Sequence, residues 1–218
     1  MIAGISEDEL NSILKLRASL TSEGGNGGEI LEPDDLVLLD NIMTKYILIA
    51  AASYFEYSIL DDMKNFINDS LSQDSKHLVE FFNGAILDRG FTSLFDWGKK
   101  EKGEIKAFLV KFFGKNSSEV TEICKGIEDC KDLQDSILKF YKIILKRNDI
   151  IHKNMHKAEI GDDSLQDVIR NYLKSKIFVE NFRHILSGDF GLIPVCENSS
   201  RLEGITLKPY KKNEQKNG

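Results

Sequence analysis

The segment ILKRNDIIHKN, residues 144 to 154, sets Arg147 and His152 in an apolar frame with four residues between them. Histidine changes protonation near neutral pH, so it can take a proton from an attacking group or give one to a leaving group. Arginine offers a planar fork of donors with a permanent charge, which suits oxygens of a phosphoryl group as charge develops on them. Together they suit one reaction well: cleavage of RNA in which the ribose 2′-hydroxyl is itself the nucleophile. That chemistry needs no serine, cysteine or metal cluster, and none is apparent. Asn148 lies four residues before His152, on the same helical face. It would orient the imidazole or contact a phosphate. Lys146 and Lys153 would bind substrate beside it.

The charge around this pair differs from that of the chain. The 218 residues carry a net charge of −6, which argues against coating a nucleic acid by bulk charge. From Lys139 to Lys157, however, Lys139, Lys142, Lys146, Arg147, Lys153 and Lys157 face one acidic residue, Asp149. Such a basic segment suits a locally bound phosphate. A solvated helix face produces the same pattern.

Five steps along an ideal helix turn Arg147 and His152 about 140° apart. Either the helix breaks between them, or they converge on a site completed by a second subunit. Phe140, Ile144 and Ile151 would anchor the segment in a core.

The elements that must hold it read as helices. A hydrophobic fraction of 41%, a charged fraction of 29% and three prolines fit an all-α bundle with one or two long central helices. Residues 1–30 supply a first helix, opened by Ser6 and Glu9 at capping-box spacing, and a glycine-rich loop at 24–28. Residues 31–187 form the main helical domain, and 188–218 an extension, partly disordered. Pro33 suits the first turn of a long helix. On it Leu39, Ile42, Met43, Tyr46, Ile49, Ala50, Ser53, Tyr57, Leu60, Met63 and Ile67 follow the spacing of a buried stripe. Leu48, Phe55 and Ile59 are apolar off that stripe, so the helix is central or shared between subunits. Asp74 would cap a third helix, and short helices follow at IKAFLVKFFG and SSEVTEICKGI. A strong helix spans LQDSILKFYKIILKRNDIIHKN. Asp163 and Gln166 would cap the last one, with Leu165, Val168, Tyr172, Val179, Phe182 and Leu186 on one face. GLIPV and GITLKPY read as short extended pieces.

Other candidates are weaker. Glu56 lies in a nearly all-apolar helix and needs a partner: it would orient Arg147 or line the cleft where substrate binds, or simply pair structurally with a lysine or arginine. His156 would extend the site or lie in a loop. With His152 it has metal spacing, but no third ligand follows. His77 and His184 read as packing or surface residues, and Tyr54, Tyr57 and Trp97 as core rather than base-stacking groups. Cys124, Cys130 and Cys196 form neither a CxxC motif nor an even set, which fits free thiols in a reducing cytoplasm. The N-terminus lacks the basic and apolar regions of a signal peptide. The run YILIAAASYF is about half of a membrane span. A soluble, cytoplasmic protein is expected.

The motif RNDIIH, ending one long amphipathic helix before another, resembles the Arg-x4-6-His signature of HEPN domains, with Asn148 as the polar residue after the arginine. LVLLDNIMTKYILIAAASYFEYSILDDM resembles the long early helix of that superfamily, with Glu56 as its embedded glutamate. The nearest type is RiboL-PSP-HEPN, over residues 35 to 187. The resemblance implies an all-α homodimer with an active cleft between subunits, to which each copy brings Arg147 and His152. It implies a metal-independent endoribonuclease leaving a 2′,3′-cyclic phosphate, with no cofactor, in toxin–antitoxin or antiviral defence and opposed by an antitoxin. Some members are non-catalytic modules that bind nucleotides, RNA or proteins. Toxins paired with nucleotidyltransferases often carry His-x-Tyr. Here Asn154 takes the tyrosine position, which speaks against that pairing.

Overall fold

The computed structural model describes residues 5–21, 32–70, 105–114, 117–153 and 163–193. They form seven α-helices and a 3₁₀ turn, with no strand among them. Helix α1, Glu7–Thr21, starts where the capping rule places it. Ser6 N–H donates to Glu9 Oε2 at 2.8 Å, and Glu9 N–H donates back to Ser6 Oγ at 3.1 Å. Helix α2, Pro33–Ser70, begins on its proline, which has no N–H to leave unsatisfied. Then come α3, Ile105–Phe113, α4, Ser118–Glu128, α5, Lys131–His152, α6, Leu165–Glu180, and α7, Phe182–Ser187. The third helix expected after Asp74 lies outside the described residues, as do His77, Trp97, Asn154, His156, Cys196 and the glycine-rich loop.

Helices α2, α5 and α6 make the core. Phe55 of α2 meets Phe140 of α5 at 5.5 Å between ring centroids and stacks on Tyr172 of α6 at 5.6 Å. All three rings are fully buried or nearly so. Helices α5 and α6 run antiparallel. Lys142 reaches Asp163 at one end, while Ser136 Oγ accepts from Phe178 N–H at 2.7 Å towards the other. Helix α2 runs the same way as α6, since Phe55 meets Tyr172 and Asp69 pairs with Arg183. Its N-terminal half therefore lies beside the C-terminal half of α5. Helix α1 docks through Tyr172 Oη, which donates to the Ile5 carbonyl at 3.0 Å, and through an Arg17–Asp40 pair.

The buried stripe of α2 is not the expected one. Ile47, Leu48, Ala51, Ala52, Phe55 and Ile59 are buried, along with Met43, Met63 and Ile67. Ile42 and Tyr46 are instead 49% and 54% exposed. When a helix is apolar on most of its girth, periodicity no longer picks the core face. By length and composition α2 is apolar enough to cross a membrane, a test that core helices also pass.

Two other local expectations change. Ser164, not Asp163, caps α6, in a reciprocal box with Asp167. The expected helix through Leu186 is interrupted at Asn181, although Val179, Phe182 and Leu186 are buried as the pattern requires. Gly188, at φ 75°, closes α7 in the left-handed conformation. Asp62 of α2 accepts a backbone hydrogen bond from Arg183 at the start of α7. Burial pushes its carboxyl up to about 6.

Where an extended GLIPV was expected, Phe190–Leu192 form the 3₁₀ turn. The ring of Phe190 lies over Gly126 of α4, where a Cβ would come within 2.2 Å of it. Gly126→Ala should therefore destabilise the wild-type chain by about 1 kcal/mol through overpacking. In a Phe190→Ala background the same change should stabilise by about 0.5–1 kcal/mol, the ordinary helical preference for alanine. Urea unfolding of the four variants checks the reversal, and equal signs in both backgrounds would refute the contact.

Candidate active site

Helix α5 carries Leu133, Ser136, Phe140, Ile143 and Ile144 on its buried side. Arg147 continues that side two turns beyond Phe140, so a cation enters the edge of the core and must be met there. Glu56, the residue after Phe55, meets it. Arg147 Nη2 donates to Glu56 Oε2 at 3.3 Å, and Nη1 donates to Asn148 Oδ1 at 3.1 Å. Nε is buried and has no hydrogen-bond partner among the described residues. Of the roles open to Asn148, this structure gives it to the arginine: its oxygen braces the guanidinium.

The Glu56–Arg147 contact is long and single, where a well-matched pair would be shorter and bidentate. Burial pushes the Glu56 carboxyl above its ordinary value, and the attraction of Arg147 offsets this only in part. The carboxylate has lost more water than the cation repays.

His152 is the last residue of α5 and is exposed. The helix is unbroken from Lys131 to His152, which removes the first of the two arrangements open to the sequence. At about 140° of separation, Arg147 and His152 of one chain leave the helix on different sides. One copy does not bring them together.

The lysines of this segment that lie among the described residues are partnered, and Lys157 lies outside them. Lys142 Nζ lies 2.8 Å from Asp163 Oδ1, and Lys146 contacts the other oxygen of that carboxylate. Asp163 loses water, which raises its pKa, but the hydrogen bonds from the two lysines outweigh this and hold it below the usual range. Lys139 and Lys174 share Asp135, and Lys153 meets Asp149 at 3.3 Å with both groups exposed. The described part of the basic segment is thus a row of ion pairs on one face of α5, apart from Arg147. Asp163, more than fifteen residues from either lysine, was invisible to local spacing rules.

Tyr54 and Tyr57 are half-buried, and Tyr54 packs against the core. His184 lies on α7, away from α5. Cys124 and Cys130 are free thiols, and burial pushes Cys124 up. Among the described residues no group of three or more His, Cys, Asp or Glu side chains is placed to hold a metal ion. Comparison of the chain with protein-family models, curated proteins and solved structures finds no match.

A carboxyl whose folded pKa is raised stabilises the fold below its unfolded value and loses that contribution as pH rises through the folded value. The wild-type melting temperature should therefore contain a fall that begins near 4.5, the ordinary value for Glu56. Glu56→Gln should remove this component. Arg147→Met takes away the opposing cation, so the fall should extend to higher pH. Melting curves across the acid-to-neutral range test both, and identical profiles in all three chains would show that the pair is not coupled as described.

Proposed function

We propose that this chain is a metal-independent endoribonuclease of the HEPN type, with a site completed between two copies. The reading rests on the seat of Arg147: a guanidinium fixed at the core edge by Glu56 and Asn148, on the same unbroken helix that ends in an exposed His152. The guanidinium would bind the scissile phosphate and stabilise charge on its oxygens. The weak hold of Glu56 leaves it available to a phosphate. His152 would take the 2′-hydroxyl proton or supply one to the leaving 5′-oxygen. Asn148 would keep the fork in plane. Lys146 and Lys153 would bind neighbouring phosphates once released from their carboxylates.

Two copies account for what one copy lacks. Val37, Leu38, Ile42 and Tyr46 are large apolar residues left exposed on α2, and Leu138 and Ile151 are exposed on α5. Apolar surface of this kind favours a protein partner. A two-fold pairing would bring Arg147 of one copy towards His152 of the other. A role in toxin–antitoxin or antiviral defence, in a cytoplasm that keeps Cys124 and Cys130 reduced, follows from the same resemblance. A second reading, a non-catalytic RNA- or protein-binding module, is favoured by the existing Glu56–Arg147 pair, which a purely structural role would also explain.

The test is cleavage of labelled RNA in EDTA by the wild type, Arg147→Ala, His152→Ala and an equal mixture of the two variants. The wild type should cut and each variant alone should not. Random exchange makes half of the dimers mixed, each with one of the two crossed pairs. The mixture should therefore regain about a quarter of the wild-type rate. Ile42→Lys with Tyr46→Lys should give folded, inactive monomers. An inert wild type moves the assignment to the binding module, and no recovery in a mixture of exchanging dimers rejects the crossed site.

A further inference from the structure

Two lysines one helical turn apart converge on a single internal carboxylate beside the candidate site. Lys142 takes one oxygen of Asp163 and Lys146 the other. Two non-bridging oxygens of a phosphodiester would present the same pair of acceptors. Lys146 directly precedes Arg147, one step of about 100° round α5, so a strand held at Arg147 would reach this position by bending round the helix. Asp163 is 16% exposed but Lys142 is 43% exposed, so the cluster opens to solvent on the Lys142 side.

Asp163 is also dispensable where its place in the sequence suggests otherwise. The cap of α6 is Ser164, locked reciprocally to Asp167, and Asp163 takes no part in it. Helices α5 and α6 are tied independently by Lys174–Asp135 and by the buried Ser136–Phe178 hydrogen bond. Release of Asp163 leaves both features in place. On the Lys142 side the pair is partly exposed, and such pairs are weak and screened by salt, so a polyanion would enter there first; Asp163 Oδ2, against Lys146, is buried and leaves with the rest of the carboxylate.

We propose that Lys142 and Lys146 form a second phosphate position for the RNA strand bound at Arg147, and that Asp163 occupies it as a built-in counter-ion until RNA displaces it. This rests on the ribonuclease reading for its ligand. Asp163 then acts as a brake on binding, raising the threshold for weakly held or non-specific strands.

Binding of a fluorescent 2′-O-methyl oligoribonucleotide, which lacks the free 2′-hydroxyl and is not cut, tests this apart from catalysis. Asp163→Asn should bind about three- to tenfold more tightly at low salt. The plot of log affinity against log salt should keep about the same slope, because both complexes meet the same phosphates once Asp163 is displaced. Adding Lys142→Gln and Lys146→Gln to Asp163→Asn should abolish the gain in affinity and make the slope shallower by about 0.7, the value for one phosphate on a single strand. In the otherwise intact chain the same two lysine changes should weaken binding, which keeps the proposal testable should Asp163→Asn fail to fold. Unchanged or weaker binding by folded Asp163→Asn, or a gain that survives loss of both lysines, overturns the proposal. So does absence of binding by every variant. Cleavage of unmodified RNA is scored separately. A chain that binds in the expected pattern but does not cut keeps this second position and loses the nuclease assignment.

Discussion

Phe55 fixes the geometry on which everything else depends. Its ring is wholly buried between Phe140 and Tyr172, so one side chain of α2 sets the height of both α5 and α6. Aromatic contacts of this kind add about 0.5–1.5 kcal/mol each beyond the area they bury. A shift of α2 by one residue would replace Phe55 at that point with Tyr54 or Glu56, and neither a hydroxyl nor a carboxylate is accommodated between two rings. The register is therefore set by chemistry as well as shape. Glu56 follows Phe55 directly, and Arg147 follows Phe140 by two turns on the same side of α5. The aromatic junction fixes the register of α2 against α5, and within that register the long side chains of Glu56 and Arg147 reach each other.

The electrostatics of α5 follow a single pattern. Each cation described in detail there is covered by a carboxylate from elsewhere in the chain or from the same helix: Arg147 by Glu56, Lys142 and Lys146 by Asp163, Lys139 by Asp135, Lys153 by Asp149. A locally basic segment thereby coexists with a net charge of −6. Most of these covers are exposed or loosely held, and the most buried is Asp163, one oxygen of which lies out of water against Lys146. The contact to Arg147 is long, and Glu56 is held up by burial more than it is drawn down by its partner. On the ribonuclease reading, such covers discourage loose adhesion to nucleic acid while leaving each cation to a phosphate that binds in the right place.

What could be read from the sequence was what local rules control. The Ser6–Glu9 box, Pro33 at the head of α2, and the course of α5 through Arg147 and His152 all depend on neighbours within a few residues. The all-α class followed from the same signals. The core face of α2 did not, because Ile42 is as apolar as Ile47, Tyr46 carries a large apolar ring, and only the positions of α5 and α6 decide between the faces. Asp163 stands where caps stand, and local pattern alone makes it one. Its real partners lie across the α5–α6 pair, and Ser164 beside it is an equally good cap. The fit of Phe190 to Gly126 is likewise a contact between distant segments. Glu56 and Arg147 could each be singled out as a group in need of a partner, but their pairing required the register that Phe55 sets.

The face of α2 that remains uncovered bears on what completes the site. Leu38, Ile42 and Tyr46 are exposed along one side of the helix, and the line runs on through Ile49, half-buried against the core, and Ser53 to Glu56. A lipid surface lying along that stripe would extend to a carboxylate already short of water and to the guanidinium attached to it. Ionised groups at such depth are costly unless they reach an aqueous edge. A protein surface of like composition covers the apolar part and can stop short of the pair, leaving the Arg147 end of the cleft open to solvent. On the proposed reading a second copy would supply such a surface, and with it a second His152 free of the 140° constraint that α5 imposes within one chain. The unbroken helix, the exposed stripe and the isolated imidazole would then be one arrangement, in which the element that keeps Arg147 and His152 apart in each copy would let two copies bring them together.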